Sequence, residues 1–338
     1  MYSIDLNVMQ PGDIVFTAEK SFISSAIRTF TGSDYSHVML CVGYGSCIHA
    51  DKKGGVHSFN VQRLLAESPE YLMVKRYAPN LDREQLDAIE IFVRRIIGTQ
   101  YSMWDAVRAA PFLKSKWFSA LKVDFNKPSS LQFCSRLVAE AYGSANIKLS
   151  ENSFSCAPAD IFTCGHLKAV DNAIVRVEKE DIEFARDKSR DKIHIQTIVT
   201  KKLLDKVRDI YGPSIQDLND LEMASVLIEG ADEVIAQITA NSGYLDLWRN
   251  DIKANPWRYF QEYLDAVQLT PEQRKALISR EVGMAQRELK RHRQNLYNCT
   301  QSYNNHPTLT IGQRVELYKL LVELAKGKLE LFTRNSEF

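Results

Sequence analysis

The chain has 338 residues, 45% of them hydrophobic and 25% charged, with a formal net charge of +1. That length fits two domains of ordinary size, each able to bury its own core. The near-neutral balance excludes a general electrostatic case for nucleic acid or an anionic membrane surface, and apolar residues spread along the whole chain exclude disorder.

The first residues, "MYSIDLNVMQPGDIVF", lack the basic start and apolar stretch of a signal peptide. No segment approaches the roughly 18 to 20 apolar residues that span a bilayer. The six cysteines (Cys41, Cys47, Cys134, Cys156, Cys164 and Cys299) contain no CxxC pair, so neither a disulfide framework nor a zinc site is expected, and a reducing compartment is. The expectation is a cytoplasmic protein, with export by a dedicated secretion system as the alternative.

Up to about residue 170, short strand-like runs alternate with helices. "DIVFTA" (13–18), "HVMLCVG" (37–43), "SCIHAD" (46–51), "GVHSFNV" (55–61) and "YLMVKRY" (71–77) are rich in β-branched and aromatic residues and bounded by turn formers. "DREQLDAIEIFVRRIIG" carries an apolar stripe through Leu86, Ile89, Val93 and Ile97. Asp82 and Gln85 are placed to cap its start and Gly98 to end it. This pattern predicts an α+β domain with an antiparallel sheet over residues 1–175.

A run of mixed charge, "RVEKEDIEFARDKSRDK", marks a linker or solvated helix over 176–195. From 196 to 338 the spacing is helical throughout. Thr270, Pro271 and Gln273 open one long amphipathic helix with an N-cap, an N1 proline and a capping box, and Thr310 with Gln313 is read the same way for the last one. These predict an all-α helical bundle, with a protein-partner surface as one role for it.

The stretch "FCSRLVAEAY" (133–142) places Cys134 at the front of a helix, behind a proline stop and Ser129 or Ser130 as N-cap. Free amides and the helix dipole at such a position favour a thiolate. The same amides, at Cys134 and Ser135, are placed to bind the oxyanion of an acyl-transfer intermediate. A lone cysteine at a helix start is more often a buried, inert residue, so a partner base has to be found.

Of the seven histidines, His37 and His49 stand out, because each lies on a strand and the two strands are joined by "VGYGS". If the turn is Tyr44 and Gly45, position 37 pairs with 52 and His49 faces the other side of the sheet. If it is Gly43, Tyr44 and Gly45, with Gly45 left-handed at a bulge, 37 pairs with 51 and 39 with 49. The two histidines then become diagonal neighbours on one face. The second register supplies a base and an orienting partner. His57 falls in a strand or loop with no assigned role.

Together "QPGDIVF", "SHVMLCVGYGSCIHA", "GTQYSMWDA", "FCSRLVAEAY" and "CAPADIF" resemble the NlpC/P60 papain-like superfamily in its circularly permuted order, with the histidine strands before the cysteine helix. Its relatives include the YiiX/YebB-like cysteine hydrolases and the lecithin:retinol acyltransferase-like proteins. The resemblance covers roughly residues 8 to 165. It implies Cys134 as nucleophile, His37 as base, His49 as the third, polar residue, and Tyr101 near the cleft as a contact to substrate or oxyanion. Many permuted members carry glutamate at the third place, so His49 departs from that branch.

The implied chemistry is covalent: the Cys134 thiolate attacks an acyl carbon, His37 returns the proton to the leaving group, and water or another acceptor releases the thioester. In papain-like sites the cysteine and base often form an ion pair. No metal or organic cofactor is required. Three substrate readings compete: lipid acyl esters or amides, slightly favoured, by hydrolysis or acyl transfer; peptidoglycan-type peptide amides, as in a delivered effector; and a non-catalytic binding module. The basic and aromatic segment "APFLKSKWFSALKVDF" (110–125) favours the first, because such a stretch suits a peripheral membrane contact or an acyl groove.

Overall fold

The computed structural model describes residues 1–18, 35–43, 45–51, 55–100, 133–153 and 156–336. It contains an α+β sheet region followed by an extensive all-α region, the fold class expected from the sequence and consistent with a papain-like sheet plus a helical bundle. Two compact units emerge: Met1–Lys201 with Gln216–Leu218, and Lys202–Ile215 with Asn219–Phe338.

The first unit is built on strands β1 (Tyr2–Ile4), β2 (Ile14–Thr17), β3 (His37–Gly43), β4 (Ser46–Asp51), β5 (Gly55–Asn60), β6 (Leu72–Tyr77), β7 (Leu167–Ala169) and β8 (Ile174–Arg176). Six of them form one sheet in the order β5-β4-β3-β2-β6-β7, and β1 pairs with β8 in a separate ribbon. All these pairings are antiparallel. The β-branched and aromatic runs β2 to β6 were legible in the sequence. The three-residue strands β1, β7 and β8 were not, being too short to show a period.

One face of the sheet carries Ile14, Phe16, Val38, Leu40 and Ile48, packed with residues of helices α1 (Arg83–Arg95) and α2 (Phe133–Gly143). The other face carries Val15, Met39, Cys41 and Cys47 with Ile4 from β1. The alternation follows from the two-residue side-chain period of a strand. Helix α1 starts as expected, with the Asp82 carboxylate accepting from the Gln85 amide at 2.8 Å in a reciprocal capping box. Gly98, with φ of +103°, follows the helix end.

The chain enters β2 through a tight loop. Gly12 has φ of +90°, a conformation that other residues adopt only with strain, and a Cβ there would also press on the Leu81 side chain. The next residue, Asp13, is fully buried. Arg76 of β6 donates to both its oxygens, at 2.7 and 2.8 Å, which compensates the buried charge.

After α3 (Pro158–Phe162), the mixed-charge run forms α4 (Lys179–Arg186) and leads into α5 (Lys192–Tyr211). In the second unit, α6 (Leu218–Leu227), α7 (Ala231–Asn241), α8 (Leu247–Ala254) and α9 (Gln261–Asp265) precede the long helices α10 (Pro271–Asn305) and α11 (Leu309–Arg334). Helices α10 and α11 pack together around Leu289, Val322 and Ala325. Thr270 caps α10 as expected. The cap of α11 is Thr308, not Thr310. The Asp232 carboxylate accepts from the amides of Leu309 and Thr310, at 2.6 and 2.9 Å, so the free amides of the first turn are already satisfied from α7 and the helix begins earlier.

Candidate active site

The β3–β4 hairpin decides which side chains meet. Leu40 pairs with Ile48 and Cys41 with Cys47, with a register shift between Cys41 and Gly43. Gly45 has φ of +76°. This is the register of the three-residue turn, and it sets His37 and His49 diagonally on one face. His37 Nε2 and His49 Nδ1 are hydrogen-bonded at 2.8 Å. His57 joins them. Strand β5 pairs with β4 so that His57 lies directly opposite His49, and the Nε2 atoms of the two rings are 3.0 Å apart and hydrogen-bonded. His57 Nδ1 in turn lies 3.1 Å from the Gly55 carbonyl oxygen.

The sequence reading had no role for His57, although the signal was present. Asp51 pairs with Gly55, and that register fixes 49 opposite 57.

Among the described residues, the paired positions of β3 and β4 stop at Leu40 and Ile48. Beyond them the amides of Val38, next to His37, of Ser135 and of Cys134 itself lie near enough to the Cys134 sulfur to favour its thiolate. The helix that carries Cys134 packs against β3 and β4, and Cys134 shares a buried cluster with Val38. No side-chain hydrogen bond joins Cys134 to His37 among the described residues.

Burial dominates the electrostatics. It pushes the Cys134 thiol up to about 11, and the three amides that favour the thiolate only partly offset it. Burial also lowers His37 to about 4, against an opposing pull from Asp51 and with a smaller push from His57 in the same direction. His49 is held well below its ordinary value, by burial first and then by His37 and His57. The resting site therefore holds a neutral thiol at Cys134 and neutral imidazoles at His37 and His49. The ion pair expected for a papain-like site is corrected on this point: the helix-start amides act on the sulfur, but its desolvation outweighs them.

The Ser135 hydroxyl donates to the Cys156 carbonyl at 2.6 Å and is fully buried, so its side chain positions the helix and only its amide faces the sulfur. Tyr101, the segment 110–125 and the caps Ser129 and Ser130 lie outside the described residues. His49, Asp51 and His57 bring three ligand-type atoms within 4.8 Å of one another, the donor set of a transition-metal site. The Nε2 nitrogens of His49 and His57 are hydrogen-bonded to each other.

Residues 8–108 match the family described as permuted papain-like amidase enzyme, YaeF/YiiX, C92 family. The matched stretch holds His37, His49 and His57 and ends before Cys134, so the placement of the thiol rests on the fold. A curated relative, the "Probable lipoprotein peptidase YaeF" of Escherichia coli K12, is 24% identical over 193 residues, 51% of this chain and 68% of the relative. A solved structure titled as that of the metalloprotein YiiX from Escherichia coli O157:H7 is 20% identical and covers 48% of this chain and 96% of its own, with a TM-score of 0.34. The kinship to acyltransferase-like proteins expected from sequence has no counterpart among these relatives.

The relative's name overturns the expectation of a cytoplasmic protein. That expectation rested on the missing signal peptide, the missing long apolar segment and the cysteine usage. Among the described residues no helix is long and apolar enough to cross a membrane, but a lipid anchor needs no such helix.

Proposed function

We propose that the first unit is a cysteine amidase that cleaves a peptide-type amide through a thioester, with Cys134 as nucleophile and His37 as general base. What supports this reading is the packing of the helix that carries Cys134 against the strands that carry His37 and His49, with the Val38 amide, next to His37, near enough to the sulfur to favour its thiolate. His49, bonded to His37 at 2.8 Å, holds the base in orientation.

Because thiol and imidazole are both neutral at rest, His37 takes the thiol proton as the sulfur attacks the amide carbon, rather than from a preformed thiolate. The carbonyl oxygen gains charge as the tetrahedral intermediate forms, and the helix-start amides are placed to receive it. His37 then returns the proton to the leaving amine. Water, deprotonated by His37, attacks the thioester and frees the acid.

An amide substrate is favoured over a lipid ester by the amidase description of the matched family and the peptidase name of the relative. The opposing case rested on the composition of 110–125. Purified protein is incubated with peptidoglycan-derived peptides, N-acyl amino acids and phospholipid vesicles. The expected result is amine release that falls by at least about 100-fold in both Cys134→Ala and His37→Ala. Fatty acid release from the vesicles with no amine release, or amine release untouched by Cys134→Ala, overturns the proposal.

A further inference from the structure

The three bonded histidines end on a group that can only accept. The Gly55 carbonyl has no proton to give, so the ring nitrogen 3.1 Å away, His57 Nδ1, must carry the hydrogen and donate it. A neutral imidazole has one N–H, so His57 Nε2 is then a bare acceptor. Across the 3.0 Å gap it takes a hydrogen from His49 Nε2, which leaves His49 Nδ1 bare. That atom takes a hydrogen from His37 Nε2 at 2.8 Å, which leaves His37 Nδ1 bare. With a single N–H on each ring, each step follows from the one before, and the unsatisfied lone pair arrives on the ring nitrogen that a general base has to offer.

We infer that His57 is a positioning residue which, anchored on the Gly55 carbonyl, fixes the tautomers of His49 and His37 so that His37 presents an unprotonated Nδ1 for the Cys134 thiol. The inference rests on the catalytic reading above for its consequence, but the tautomer order itself does not.

The anchor is held rigidly. Gly55 has φ of +67°, and a Cβ there would lie 2.2 Å from the Thr99 carbonyl oxygen. The Val56 amide donates to that same carbonyl at 2.9 Å, and the Gly98 amide donates to Val56 at 2.8 Å. The start of β5, and with it the Gly55 carbonyl, is clamped against the segment after α1. A chain of identical rings without such an end could run in either direction. Reversed, it would put a lone pair of His57 Nδ1 against those of the carbonyl and deliver His37 with Nδ1–H, unable to accept a proton from the thiol. A cationic His57, with Asp51 Oδ2 3.8 Å from its Nε2, would reverse the chain in the same way. In a serine triad, presenting the wrong histidine tautomer costs about 10⁴ in kcat.

The direct test is ring nitrogen NMR on the ¹⁵N-histidine-labelled full-length protein at neutral pH. The expected result is an Nδ1–H tautomer for His57 and Nε2–H tautomers for His49 and His37. An Nδ1–H tautomer at His37, or a mixture there, overturns the inference. Kinetics give the second arm. His57→Leu removes the acceptor and is expected to lower kcat at least about tenfold with KM unchanged, with His37 shifting to mixed tautomers. His57→Gln, whose amide can accept from His49 and donate to Gly55, is expected to restore most of kcat. Equal kcat in His57→Leu and wild type overturns the inference. If the tautomers are as expected but Cys134→Ala retains full turnover, the catalytic reading fails and the tautomer order stands.

Discussion

Cys134 is under two opposing influences, and their balance sets how the site works. The helix start provides amides that favour the thiolate, as its position in "FCSRLVAEAY" suggested. Burial works the other way and prevails, raising the thiol to about 11. A sequence displays the first influence, since capping residues are local, but the second depends on what the fold packs around the sulfur. The consequence is measurable. With folded pKa far above neutrality, the thiolate fraction rises about tenfold per pH unit across the neutral and mildly alkaline range. Alkylation of Cys134 by iodoacetamide, followed site by site by mass spectrometry, is expected to accelerate with that slope between pH 7 and pH 10. A rate already level at pH 7 would indicate a preformed ion pair and reverse the balance drawn above.

The β3–β4 hairpin was the most legible element, because a glycine in a short turn limits the register to two choices and one of them brings His37 and His49 together. The same reasoning on "DKKGG" would have placed His57 opposite His49, but a strand histidine with no known partner role gives no local reason to work out its register. Asp13 was harder to read. In "QPGDIVF" it looks like a turn residue, and its partner Arg76 is 63 positions away. The pair joins the loop before β2 to β6, and Asp13 is fully buried while the Arg76 side chain is 29% exposed. Arg76→Met keeps most of the stem's packing and leaves the carboxylate without its counter-ion. A loss of about 2 kcal/mol is expected, below the roughly 3 to 5 kcal/mol for breaking a fully buried pair because Arg76 is partly hydrated. Urea unfolding read by circular dichroism checks it. An unchanged midpoint would mean that Asp13 is satisfied by the Gln10 amide at 2.7 Å alone.

For the molecule as a whole, period and capping made the second unit readable as helices, but not the polar contacts inside it. Glu222 in "LNDLEMASVL" and Arg314 in "TIGQRVELY" look like solvated positions on amphipathic helices. In the fold they form an ion pair whose side chains are 14% and 11% exposed. Burial raises the Glu222 carboxyl even though Arg314 pulls it down, so the pair compensates a desolvation cost more than it adds attraction. Burial also acts against the Arg314 guanidinium, and there Glu222, together with Tyr318, Tyr244 and Cys299, outweighs it. Such a pair contributes little beyond an apolar replacement, yet breaking it from one side strands a buried charge. Glu222→Gln is therefore expected to cost about 3 kcal/mol, and to cost it in one place. Glu222 and Arg314 both lie in the unit formed by Lys202–Ile215 and Asn219–Phe338, so amide exchange should accelerate in α6, α7 and α11 while the strands around His37 and His49 keep their protection. Uniform acceleration across both units would show that the chain unfolds as a single cooperative body. Turnover by the Cys134 site in the same variant then separates the two cases functionally: with separate units, activity should persist at temperatures where the helices have already lost protection.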